Sequence, residues 1–223
     1  AVLHDFVSGD EARTLLDLLA RRLHVEWGPL CCDRRIAGTL TDWHNGKVMP
    51  CLAAFEVAAL MRYGRCGEAL ELIKKTWLPM LRQGPESTFW EWYGEGGGIT
   101  NSMASLCHPW SANVLQALTE GLAGIRPADA GYSAFFLDPL FAASAGIPEW
   151  LEFRIPTPAG PIEGNWRRKG SSTEYEIVCP EGIEGYFARG RDAVLIHDLT
   201  RGGKTGGIIK GKTGFRFENA VNG

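Results

Sequence analysis

No stretch of this chain is apolar over the roughly 18 residues that a membrane-crossing helix requires, so no membrane partner is expected. Charge of one sign is missing as well. Lys and Arg number 23 against 26 Asp and Glu, a formal net charge of −3, with no long basic run among them. Nucleic acid is therefore excluded as a partner on charge grounds. There is no Cys-x-x-Cys pair and no Gly-rich phosphate loop, which removes the signals for structural zinc and for nucleotides; no metal and no cofactor is expected. The six cysteines do not read as a disulfide framework. Cys31 and Cys32 are adjacent, Cys51, Cys66 and Cys107 sit in apolar helical or pre-helical settings, and Cys179 ends a strand-like run. Buried free thiols in a reducing, cytoplasmic setting are the expectation. An opening methionine, a signal peptide and a helix cap are all missing before Ala1-Val2-Leu3-His4-Asp5-Phe6-Val7, so the chain reads as the C-terminal piece of something longer.

What is present falls into two periods. A chain of 223 residues can bury a sizeable core in one domain or two. Ser8 with Glu11 has the spacing of a capping box, and Leu15, Leu16, Leu18, Leu19 and Leu23 then form an apolar stripe, which predicts a helix over 10–24. Pro50 opens a second helix over 51–63 that Gly64 ends, and Gly67 opens a third over 68–81, so the two form a hairpin. A fourth helix is expected from Trp110 or Ser111 to Leu122, with Val114, Leu115, Leu118 and Leu122 inward. After Pro139 the period drops to two. Runs such as Glu152 to Ile155, Ile162 to Arg167, Thr173 to Val178 and Gly185 to Ala188 are separated by Pro- and Gly-rich turns, which predicts an antiparallel β-sandwich; 193–197 and 214–217 are later strand candidates.

The densest chemistry lies in Thr88-Phe89-Trp90-Glu91-Trp92-Tyr93, followed by a glycine-rich run and by Cys107-His108-Pro109-Trp110-Ser111. A carboxylate flanked by aromatic rings suits a sugar, whose C–H faces stack on the rings while the acid exchanges a proton. The same residues also suit a helix start with aromatic anchors packed into a core, and residue types leave both readings open. Trp90 and Trp92 fall on opposite sides of an extended segment, so one is expected to line a site and the other to pack beneath it. Trp43 and His44, in a polar loop, offer a further ring and donor; Asp42 beside them is a second carboxylate or a turn acid, and Glu86 and Glu95 read as loop charges. Cys107 next to His108 is a weak candidate nucleophile, since a Cys–His pair needs spatial facing and not adjacency.

Several of these motifs, in this order, resemble bacterial α-L-rhamnosidases. Thr88-Phe89-Trp90-Glu91-Trp92, Cys107-His108, Leu122 to Pro127 and Gly131-Tyr132 are similar to the C-terminal end of that family's catalytic domain, and Leu151 to Trp166 to the first strands of the domain that follows it. The resemblance implies a multidomain chain, α then β. Residues 1–139 would be the C-terminal part of an (α/α)6 barrel of helical hairpins, and 140–223 an antiparallel β-sandwich. It further implies metal-independent hydrolysis of terminal α-L-rhamnosyl residues with inversion of configuration, Glu91 as the general base, and a general acid upstream of Ala1. His108 matches a histidine able to bond a sugar hydroxyl, with Trp90 and Trp92 beside it, whereas Trp43 and His44 depart from the family's pattern. The implied partner is a rhamnose-containing glycoside or polysaccharide. A non-catalytic carbohydrate-binding or interaction module, and another barrel glycosidase of different sugar specificity, are the alternatives.

Overall fold

The computed structural model describes residues 1–33, 46–83, 88–94, 96–99, 104–138, 140–188, 194–200 and 208–219. Asp42, Trp43, His44, Glu86 and Glu95 lie outside the described residues. The chain forms two compact units, Ala1–Ala117 and Leu118–Gly223. Among the described residues no helix is long and apolar enough to cross a membrane.

The first unit opens with a short 3-10 turn and α1 (Gly9–Leu23). Ser8 occupies the N-cap position, but its side chain makes no capping bond, so the capping-box reading is corrected to a cap by position alone. Strands β1 (His24–Val25) and β2 (Gly28–Pro29) make a tight antiparallel hairpin that turns on Glu26 and Trp27. After β3 (Lys47–Val48), Pro50 stands at the first turn of α2 (Pro50–Arg62), where its missing N–H costs nothing. Gly64, at φ 71°, ends α2: its N–H bonds Met61 O while the Arg65 N–H bonds Leu60 O, the paired bonds of a Schellman motif. Helix α3 (Cys66–Gln83) follows at once, giving the expected hairpin. Arg65 fastens it, with its guanidinium on both Glu68 oxygens and 2.8 Å from Asp17 of α1. Strand β4 (Tyr93–Gly94) then pairs with β3.

The fourth helix is not continuous, and the expectation of one helix over 110–122 is corrected. A 3-10 segment (Pro109–Asn113), α4 (Val114–Leu118) and a π-helical turn (Thr119–Ala123) succeed one another. Side-chain bonds hold the entry: Ser111 Oγ donates to Trp90 O at 2.7 Å and Asn113 Nδ2 to Cys51 O at 2.9 Å, fixing the backbone in the tighter turn. The change of pitch turns Leu115 outward, to 55% exposure, while Val114 and Leu122 stay buried.

The second unit contains β5 (Ile125–Pro127), β6 (Ala134–Leu137), α5 (Leu140–Ala143), β7 (Trp150–Ile155), β8 (Ile162–Lys169), β9 (Ser172–Val178), β10 (Glu184–Phe187), β11 (Val194–Asp198) and β12 (Lys212–Asn219). Five strands form an antiparallel sheet in the order β11-β12-β9-β8-β7, and β10-β6-β5 form a second. In that smaller sheet β10 runs parallel to β6, which corrects the wholly antiparallel reading. Parallel neighbours need a long crossover. Here β7 to β9 supply it, and β5 and β6 belong with the second unit although they precede Pro139.

Aromatic rings fill the space between the layers. Phe187 of β10 meets Phe215 of β12 edge-on at 5.1 Å, and Phe141 of α5 stacks on Trp166 at 5.3 Å and touches Tyr175 and Phe217. Trp166, Tyr175, Phe215 and Phe217 are buried, and rings of this size each gain about 4–6 kcal/mol from leaving water. Two of them also satisfy the π-helical turn. Trp166 Nε1 donates to Leu122 O at 2.9 Å and the Tyr175 hydroxyl to Ala123 O at 2.8 Å, covering carbonyls a helix end leaves orphaned. Burial holds the Tyr175 hydroxyl well above its usual pKa, so it stays a donor.

Candidate functional site

The motif at 88–94 sits between two anchors in the first unit. On one side the backbone N–H of Trp90 points to Met80 Sδ of α3 at 3.1 Å, and Ser111 Oγ bonds its carbonyl. On the other the Tyr93 hydroxyl lies 2.7 Å from Trp27 O and 2.8 Å from Thr76 O, and burial raises its pKa. Gly97, at φ 81°, brings the glycine-rich turn against the Trp27 ring: a Cβ there would stand 2.5 Å from the ring, so only glycine allows the approach.

Between these anchors the segment 88–91 runs beside 105–108. Thr88 Oγ1 donates to Leu106 O, His108 N to Phe89 O at 2.7 Å, and Glu91 N to Ser105 O at 2.8 Å. Residues 14 to 19 positions apart are thus brought together, with Glu91 and His108 on adjoining segments. Glu91 is half-buried and its Oε2 accepts the Ser105 N–H at 3.2 Å. Its charge also reaches Cys51 in the first turn of α2, adding to the rise in the Cys51 thiol pKa that burial chiefly causes.

The rings divide differently from the expectation. Trp90 is fully buried, edge-on to Tyr93 at 6.2 Å, and is a packing residue. Trp92 is 7% exposed, with Lys47 Nζ 4.6 Å from its ring centre. Neither offers a free face, so the expectation that one of the pair lines an open site is corrected: alternation put them on opposite sides, but core lies on both. The ring that does face outward is Trp110, 57% exposed and 6.4 Å from the half-buried His108 ring. Sequence reasoning used Trp110 only as a helix start; its place directly after His108-Pro109 was the available signal. Lys47 was missed as well, because a two-residue strand carries no periodicity.

All six cysteines are free. Cys51, Cys66 and Cys179 are buried as expected, Cys31 and Cys32 only partly, and Cys107 is exposed, against the expectation. Burial and the neighbouring Cys32 push the Cys31 thiol up to about 12, and burial takes Cys179 to about 11, so both stay protonated at neutral pH. Among the described residues no group of three or more His, Cys, Asp or Glu is placed to hold a metal ion.

Residues 124–186 match the family model described as the bacterial alpha-L-rhamnosidase C-terminal domain. An alpha-L-rhamnosidase of Alteromonas sp. (strain LOR) is 25% identical over 135 residues, which are 57% of this chain and 14% of the relative. Three solved structures share the fold. The native rhamnosidase of Aspergillus terreus matches with a TM-score of 0.58 at 15% identity, over 93% of this chain and 21% of its own. That of Dictyoglumus thermophilum gives 0.53 at 17% identity, over 76% of this chain and 21% of its own. That of Streptomyces avermitilis, complexed with L-rhamnose, gives 0.52 at 18% identity, over 74% and 17%. The chain therefore spans about a fifth or less of the length of these relatives. The resemblance to α-L-rhamnosidases read from the sequence is thus shown, and its family-model match falls on the second unit.

Proposed function

We propose that this chain is the C-terminal part of an α-L-rhamnosidase whose whole protein hydrolyses terminal α-L-rhamnosyl residues of glycosides or polysaccharides with inversion. In this reading α1 to α3 are the last hairpins of an (α/α)6 barrel and the second unit is the β-sandwich that follows it. Glu91 is the general base: it takes a proton from a water that attacks the anomeric carbon from the face opposite the leaving group. The general acid, which protonates the leaving oxygen, lies upstream of Ala1. The scheme runs on two carboxyl groups.

The observation that carries the reading is the clip between 88–91 and 105–108. It holds a half-buried carboxylate on a segment adjoining the one that carries His108 and the exposed Trp110, on loops fixed by α2, α3 and the 3-10 segment. His108 then bonds a sugar hydroxyl and Trp110 offers the stacking face first expected of Trp90 or Trp92. Those two serve as the packed base beneath the site.

The test is Glu91→Gln in the full-length protein. The amide keeps the shape and the Ser105 contact but cannot take a proton from water. Hydrolysis of an aryl α-L-rhamnoside is expected to fall by about a hundredfold or more while rhamnose binding is kept. Wild-type turnover by this variant would remove Glu91 from the role of base. The same loss with binding intact also separates an enzyme from a non-catalytic carbohydrate-binding module.

A further inference from the structure

The outer face of the five-stranded sheet, on the side away from the aromatic core, is built as a trough. Directly paired residues line up across the strands in rows. One row runs Trp150, Arg167, Glu174, Arg216 and His197; the next Glu152, Asn165, Glu176 and Gly214; the third Arg154, Glu163, Val178 and Lys212. Long side chains stand in all three rows, and the middle one dips at Asn165 and at Gly214, which has no side chain. The face carries two adjoining hollows of about 610 Å³ each, which share Asn165 and Glu176. Hollows of this size lie within the range of ligand sites. At about 4.8 Å per strand, the three spacings from β7 to β12 give a trough about 14 Å long.

Its chemistry is specific in three respects. The charges cancel: across the three rows four carboxylates (Glu152, Glu163, Glu174, Glu176) stand against four cations (Arg154, Arg167, Arg216, Lys212). An anionic or cationic ligand gains nothing from such a face, whereas a neutral molecule rich in hydroxyls finds donors and acceptors along its whole length. The ion pairs present are solvent-exposed, Arg154 with Glu163 at 2.9 Å, Lys212 with Glu176 at 2.9 Å and Arg216 with Glu174 at 3.1 Å, so hydroxyls can replace them at little cost. At the β7 end Trp150 is 56% exposed, a stacking face of the kind a pyranose uses. Gly214, third in β12, weakens the strand there, as glycine does where another molecule approaches the backbone closely.

We propose that this trough is a carbohydrate-binding surface separate from Glu91, taking a neutral oligosaccharide laid across the strands with one ring on Trp150. It rests on the glycosidase reading only for the choice of sugar as the ligand class. Sugar hydroxyls bond the middle row at Glu152, Asn165 and Glu176 and the row beside it at Arg167 and Arg216. Such a surface would hold a polysaccharide substrate without taking part in its cleavage.

The test is titration of the 223-residue chain with a neutral α-linked rhamnose tetrasaccharide, followed by backbone amide NMR, with an oligogalacturonate of equal length as the anionic probe. Shifts are expected on β7, β8, β9 and β12, with weak affinity on the order of 1 mM. Trp150→Ala and Gly214→Val are each expected to weaken binding about tenfold or more, and Glu91→Gln to leave it unchanged. A Cβ at Gly214 meets nothing closer than Leu199 Cβ at 3.7 Å, so the valine fills the trough without disturbing the sheet. If the chain alone aggregates, the difference in tryptophan fluorescence between full-length wild type and Trp150→Phe on adding the tetrasaccharide reads the same event. No response up to about 10 mM, an unchanged response in both variants, or tighter binding of the oligogalacturonate overturns the proposal. The two readings fail separately. Trough binding with a fully active Glu91→Gln enzyme removes only the catalytic assignment, and a silent trough with an inactive Glu91→Gln removes only this one.

Discussion

Trp90 and Trp150 show how one residue type does opposite work in two settings. Trp90 is fully buried against Met80 and Tyr93 and its carbonyl anchors Ser111; Trp150 lies open on a sheet face. Truncating Trp90 to alanine removes a packed ring and leaves a cavity in the first unit, which is expected to cost about 3–5 kcal/mol. Trp150→Ala is expected to stay within about 0.5 kcal/mol of wild type. Chemical denaturation of the two variants reads the difference; equal midpoints would show that Trp90 is not the packing residue its burial implies. The aromatic motif was visible in the sequence, but which rings face outward was not. Alternation places Trp90 and Trp92 on opposite sides without saying what lies on each side, and here Lys47, from a strand too short to leave a pattern, occupies the side expected to be open.

At the scale of elements, the helices were legible because their signals are local. Pro50, Gly64 and the three- and four-residue spacing of Leu72, Trp77 and Leu81 are all read within one turn of where they act. The broken helix after Pro109 was not, because its pitch is set by bonds from Ser111 and Asn113 to residues 21 and 62 positions away. Sheet order escaped for the same reason: alternation identifies a strand but not its neighbour, and the parallel partner of β10 lies before Pro139. Two strand glycines record such neighbours. A Cβ on Gly164 would stand 2.4 Å from the Phe153 ring and 2.7 Å from Glu176 O, and one on Gly185 2.2 Å from the Phe135 ring. Gly164→Ala and Gly185→Ala are each expected to destabilise the second unit by about 1–3 kcal/mol, through rings forced off their rotamers and a carbonyl that cannot move aside. Gly214→Ala, whose Cβ would meet only ordinary contacts at 3.7 Å and beyond, is the control. Thermal unfolding midpoints that place all three together would mean that the close approaches at Gly164 and Gly185 are not what keeps them glycine.

For the whole molecule, the role proposed for Glu91 is half of a reaction. Inverting hydrolysis needs an acid and a base on opposite faces of the sugar, about 6.5–9.5 Å apart, and the resemblance that makes Glu91 the base places the acid upstream of Ala1. The chain spans about a fifth or less of the length of the solved rhamnosidases it matches. Expressed alone, residues 1–223 are expected to show no turnover of an aryl α-L-rhamnoside, while a neutral oligosaccharide still binds the trough of the second unit, which is complete within this chain. The two assays on one preparation test both statements, since trough binding certifies that the second unit has folded. Robust turnover would mean that an acid inside the chain, Asp42 being the first to replace, completes the site, and that the reaction needs nothing upstream of Ala1.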